Sequence, residues 1–107
     1  MGKNTRKTKL SNIHPGEVLR EEFLGPLGIT AYRLSRETGI SQTRISLILR
    51  EQRAITADTA LRFAAFFGTS AKFWLGLQED YNLEAARNRL GENLERIRPL
   101  PLPVPAP

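Results

Sequence analysis

The sequence predicts an all-α fold: five helices, an additional C-terminal helix over residues 83–98, and disordered ends. Three observations carry that prediction. Apolar residues recur at helical spacings of three and four along the chain. Thr30, Ser41, Thr56 and Ser70 each stand where a side-chain oxygen can cap a following helix. Glycines at Gly39 and Gly68 stand where a left-handed residue would close a helix.

The first helix is expected to open at Pro15, whose fixed φ suits a first helical position, and to run through Val18, Leu19 and Phe23 until Gly25-Pro26 stops it. Thr30 caps a second helix of about two turns over Ala31 to Thr38, and Gly39 ends it. Ser41 caps a third, which reaches Leu49 or Arg50; Ile45, Ile48 and Leu49 fall on one face and Gln42, Thr43, Arg44, Ser46 and Leu47 point elsewhere. Thr56 caps a fourth, with Asp58 set against its positive N-terminal end and a core stripe of Ala60, Leu61, Phe63, Ala64 and Phe67. Ser70 caps a fifth, whose Phe73, Trp74, Leu75, Leu77 and Tyr81 spread round more of the circumference than one buried face requires. Leu83, Ala86, Leu90, Leu94 and Ile97 then describe a last amphipathic helix, weakened by Gly91 at a cost of about 1 kcal/mol relative to alanine.

These elements divide the chain into a flexible basic arm over 1–12, a helical domain over 13–82, the C-terminal helix over 83–98 and a tail over 99–107. Proline at alternate positions of that tail removes amide donors and favours an extended, disordered end. The net charge of +5 is uneven: residues 1–14 hold Lys3, Arg6, Lys7 and Lys9 without an acid, whereas residues 56–98 balance. With no cysteine, neither a disulfide nor a thiolate metal site is available, and a reducing cytoplasm is the expected compartment. No apolar leader or membrane-spanning stretch is evident, so no membrane partner is expected.

The informative stretch is Ala31-Tyr-Arg-Leu-Ser-Arg-Glu-Thr-Gly-Ile-Ser-Gln-Thr-Arg-Ile-Ser-Leu-Ile-Leu-Arg50. Small Ser35 lets two short helices approach, Gly39 makes the tight turn, and Leu34, Ile40, Ile45 and Ile48 fill the seam. Such a unit lays the start of its second helix in the major groove of DNA. Gln42, Thr43, Ser46 and Leu47 are the candidate base contacts, Gln42 being suited to an adenine edge and Thr43 or Leu47 to a thymine methyl. Thr30, Ser41, Arg44, Arg50 and Arg53 are the candidate phosphate contacts. Phe73, Trp74, Leu77 and Tyr81 are the candidate dimer interface. His14 reads as a capping or packing residue, and Glu17, Glu21 and Glu22 as a solvated helix face rather than a metal site. One histidine, two aspartates and no nucleophile–base or glycine-rich phosphate motif argue against an enzyme, and no catalytic residue, metal or cofactor is expected.

Residues 31–50 resemble the helix-turn-helix of the phage-repressor-like (XRE) family, which implies a five-helix, repressor-like domain. Three further runs are similar to its HigA antitoxin branch: His14-Pro-Gly-Glu-Val-Leu-Arg-Glu-Glu-Phe-Leu-Gly-Pro-Leu-Gly28, Arg53-Ala-Ile-Thr-Ala-Asp-Thr-Ala-Leu-Arg62 and Phe67-Gly-Thr-Ser-Ala-Lys-Phe-Trp-Leu-Gly-Leu-Gln78. That resemblance, over about residues 13–85, implies a homodimer that binds double-stranded operator DNA, represses its own operon and neutralises a HigB-like ribonuclease toxin, with no small-molecule ligand. Two departures stand out. Where many relatives have glutamine at the start of the second helix, this chain has Ala31, so Thr30 or a backbone amide must make that phosphate contact; and the chain beyond Asn88 lies outside the resemblance. The alternatives are a repressor of the same fold without a toxin, and a protein-interaction module that does not bind DNA.

Overall fold

In the computed structural model, which describes residues 12–101, the chain enters its first helix through His14. The His14 ring accepts the Gly16 amide through Nδ1 at 2.9 Å, and Pro15 takes the first helical position. Helix α1 then consists of three consecutive pieces: Pro15–Val18, a π-helical Leu19–Leu24, and Gly25–Leu27. Gly25-Pro26 therefore does not stop it, contrary to expectation. A proline inside an α-helix loses one hydrogen bond and presses its ring on the carbonyl four residues back. Here the helix is widened just before Pro26, and the Gly25 amide reaches the Arg20 carbonyl five residues back. The stop comes at Gly28, at φ 65°, where the Ile29 amide bonds to the Leu24 carbonyl and the Gly28 amide to the Gly25 carbonyl.

Helices α2 (Ala31–Thr38), α3 (Gln42–Leu49), α4 (Ala57–Phe67) and α5 (Ala71–Leu90) follow, each with the expected cap. Thr30, Ser41, Thr56 and Ser70 accept the amides of Arg33, Arg44, Thr59 and Phe73. Gly39 and Gly68, at φ 79° and 78°, close α2 and α4. No separate helix begins at residue 83. Helix α5 runs unbroken over twenty residues until Gly91 takes φ 50° and ψ −127°, and only the single turn α6 (Glu92–Glu95) lies beyond. The glycine expected to weaken a helix interior is the place where the helix breaks. Residues 99–101 are exposed and outside any helix; the rest of the proline tail and residues 1–11 of the basic arm lie outside the described residues.

The core joins helices α1 to α5 through Leu19, Leu34, Ile40, Ile45, Ile48, Phe63 and Trp74. Trp74 is fully buried, with Phe23 and Phe63 packed on its ring at 4.9 and 5.0 Å and its Nε1 donating to Thr69 Oγ1 at 2.8 Å. Its assignment to a dimer interface is corrected on that ground: the side chain has no surface left for a second chain. At Gly16 the backbones of α1 and α3 come so near that an added Cβ would land on the Ile48 carbonyl oxygen. Glycine is thus required there by backbone approach, and it fixes how α3 lies on α1.

Candidate nucleic-acid interface

The seam between α2 and α3 is closed by short hydrogen bonds as well as by apolar contact. Ser35 Oγ donates to the Ile40 carbonyl at 2.6 Å and Thr38 Oγ1 to the Leu34 carbonyl at 2.6 Å, so both hydroxyls are used inside the turn. With Ile45 and Ile48 fully buried, the opposite side of α3 faces outward. Gln42 and Thr43 are exposed at its start, and Ser46 and Leu47 are half-buried along the same side. Thr30 and Ser41 use one oxygen lone pair as caps, and both residues are exposed at helix N-termini, where backbone amides and helix dipoles favour an anion.

The far end of α3 is held by groups that sequence reasoning did not single out. Glu51 adopts a left-handed conformation, φ 63°, which lets the Gln52 amide reach the Leu47 carbonyl and the Glu51 amide the Ile48 carbonyl. Arg20 on α1 donates to the Leu49 carbonyl and pairs with Glu51 at 3.4 Å, placing a cation where the α3 dipole is negative. The loop that follows is anchored by Gln78, which is buried on α5: its Oε1 accepts the Ile55 amide at 2.7 Å and its Nε2 donates to Asn82. A polar residue four positions after Trp74, on the buried side of α5, was the available signal. Arg50 and Arg53 on this loop are exposed and form no ion pair among the described residues.

Arg44 is placed differently from the other candidate phosphate contacts. Its Nη2 donates to Asp58 Oδ1 at 3.0 Å and to Thr59 Oγ1 at 3.1 Å, so in this conformation it braces α3 against the first turn of α4 instead of standing free. Arg62 reaches the same Asp58 oxygen at 2.8 Å and the Thr38 carbonyl at 2.8 Å. Hydrogen bonds from Arg62 and Arg44 hold the Asp58 carboxyl below its ordinary pKa. Burial lowers the His14 imidazole below its ordinary value, against a weaker opposing pull from Glu51. The His14 ring stands edge-on to Tyr81 at 4.8 Å. Of the candidate dimer residues, Leu77 leans on the core, Tyr81 is half-buried and Phe73 is 39 % exposed.

Residues 19–74, from the π-helical turn of α1 to Trp74, match the helix-turn-helix family. Virulence-associated protein I of Dichelobacter nodosus is 50% identical over 80 residues, covering 75% of this chain and 74% of its own. Antitoxin HigA-1 of Vibrio cholerae serotype O1 is 36% identical over 95 residues, covering 89% and 90%. The structure of Pseudomonas aeruginosa antitoxin HigA with the higBA promoter is 43% identical, covers 83% of this chain and 98% of that one, and superposes with a TM-score of 0.79. The chain belongs to the XRE-type helix-turn-helix family, in its HigA branch. In this HigA-branch chain the family match takes in every residue of the α2–α3 unit and both ends of the Arg44–Asp58 brace. It stops at Trp74, before the exposed half of α5 begins. Among the described residues no helix is long and apolar enough to cross a membrane, and no group of three or more histidine, aspartate or glutamate side chains is placed to hold a metal ion.

Proposed function

We propose that this chain is the antitoxin of a toxin–antitoxin pair, a cytoplasmic protein and not an enzyme, that binds operator DNA as a dimer, represses its own operon and neutralises a HigB-like ribonuclease toxin. The observation that carries the reading is the split of α3 into a buried face of Ile45 and Ile48 and an outward face of Gln42, Thr43, Ser46 and Leu47. Its support from relatives is the Pseudomonas aeruginosa antitoxin HigA, solved with the higBA promoter. In this reading the outward face contacts bases, while Thr30, Ser41, Arg50 and Arg53 contact phosphates on either side. Thr30 takes the place left by Ala31 at the start of α2. Phe73, Leu77 and Tyr81, with the apolar row of Leu83, Leu90, Leu94 and Ile97 beyond them, form the dimer contact.

A gel-shift titration on the gene's own upstream DNA, with and without the product of the neighbouring frame, tests repression and toxin binding together. The expected result is salt-dependent binding to an inverted repeat with half-sites roughly 34–36 Å apart, altered by the second protein. Equal affinity for upstream and random DNA would sink the repressor reading. Within it, Gln42→Ala is expected to cost about 1–3 kcal/mol of discrimination at one base pair. Arg53→Ala is expected instead to weaken binding to all sequences alike and to lower the salt slope by about one.

A further inference from the structure

Two guanidinium groups converge on one carboxylate at the edge of the proposed DNA face. Asp58 Oδ1 accepts from Arg44 at 3.0 Å and from Arg62 at 2.8 Å, while the Asp58 side chain stays 56% exposed. Arg44 sits on α3 between the outward Thr43 and Leu47 on one side and α4 on the other, and its Nε is buried with no partner. One of its donors is therefore idle in the free chain. Arg62 is anchored a second time on the Thr38 carbonyl, so it would remain beside Asp58 if Arg44 left. Arg50 and Arg53 have no such carboxylate among the described residues. An ion pair whose carboxylate is open to solvent is weak enough to be exchanged.

We propose that Asp58 is a specificity-determining residue, holding Arg44 back from DNA until the base-reading face of α3 docks. Arg44 then exchanges the carboxylate for a phosphate, and Arg62 stays to neutralise Asp58. A duplex that offers no matching bases supplies nothing to offset the broken pair, so Arg44 stays on Asp58 and adds no phosphate contact. The consequence is a penalty on non-specific binding that Arg50 and Arg53 alone would not impose. This inference rests on the DNA-binding reading above and assigns a role to a residue outside α3.

The test compares the full chain with Asp58→Asn on a mixed-sequence duplex and on the gene's own upstream DNA across a salt series. Asp58→Asn is expected to bind the mixed-sequence duplex several-fold more tightly, to steepen the salt slope by about 0.9, as for one more phosphate neutralised, and to lower the ratio of specific to non-specific affinity. The gain is expected to vanish in Asp58→Asn/Arg44→Ala. Asp58→Ser, which retains an oxygen in the first turn of α4, serves as the second variant if the asparagine form melts early. If the gain persists without Arg44, Asp58 acts only through bulk charge and the proposal is overturned. It is equally overturned if folded Asp58→Asn or Asp58→Ser binds no more tightly than wild type, since the pair is then only a brace. Wild type that binds neither duplex overturns the DNA-binding reading itself, and this inference with it.

Discussion

The two halves of α5 carry similar apolar patterns and meet opposite fates. In the first half Trp74 is fully buried and Gln78 is nearly so, each with a hydrogen-bond partner from outside the helix or within it. In the second half, in α6 and just beyond it, Leu83, Leu90, Leu94 and Ile97 are 40–67% exposed although their spacing in the sequence is as regular as that of the core stripe. An amphipathic pattern states that a face is apolar; it does not state what covers it. Within one chain, α1 and α4 cover the first half, and the second half extends past them.

Trp74→Ala breaks the comparison most severely. Removing a large, fully enclosed ring is expected to cost about 3–5 kcal/mol, read as a fall in the denaturant midpoint. Leu90→Ala is expected to change the stability of dilute protein by less than about 0.5 kcal/mol. Because the proposed dimer contact includes Leu90, the variant should nonetheless reduce the dependence of the melting temperature on protein concentration. Equal losses in the two variants at low concentration would show that the halves are not distinct.

A smaller effect is expected at the polar anchor of the covered half. Gln78→Leu keeps much of the volume but leaves the Ile55 amide without its 2.7 Å acceptor, at a cost of about 1–3 kcal/mol. Ile55 closes the loop that carries Arg50 and Arg53, so amide exchange should rise first in residues 50–55 while α2 and α3 remain protected. Uniform loss of protection would mean that the loop does not open separately from the domain.

These contrasts also mark where the sequence was legible. Caps were, because a threonine or serine three residues from the amide it accepts is a local pattern: Thr30, Ser41, Thr56 and Ser70 all stand as read. Ile45 and Ile48 were, because a seam between adjacent short helices is set by spacing alone. Arg44 was not, since its partner Asp58 lies fourteen residues away and the two meet only after α4 packs. Trp74 was identified as apolar but not as enclosed, which depends on Phe23 and Phe63 arriving from other helices. The passage of α1 through Pro26 was hidden for a related reason: proline usually ends a helix, and the widened register that accommodates it leaves no simple mark in composition.

The smallest expected effect lies at the boundary between the two halves. Asn12 donates to the Tyr81 carbonyl at 3.0 Å and His14 stacks edge-on to the Tyr81 ring, so the segment entering α1 clasps α5 where it leaves the body. The His14 Nδ1 can accept the Gly16 amide only while unprotonated, and burial lowers its pKa below 6.5. The unfolded chain therefore takes up the proton first as the pH falls. Stability from this group is complete above about pH 6.5, declines as the pH drops below it, and levels off once the folded-state value has been passed. His14 is the only histidine in the chain, so no other imidazole masks the transition. His14→Asn offers an uncharged cap in its place, and its melting temperature should stay level across the window in which the wild type declines. A parallel decline in both proteins would remove His14 as the cause and leave the clasp on Tyr81 to Asn12 and to packing alone.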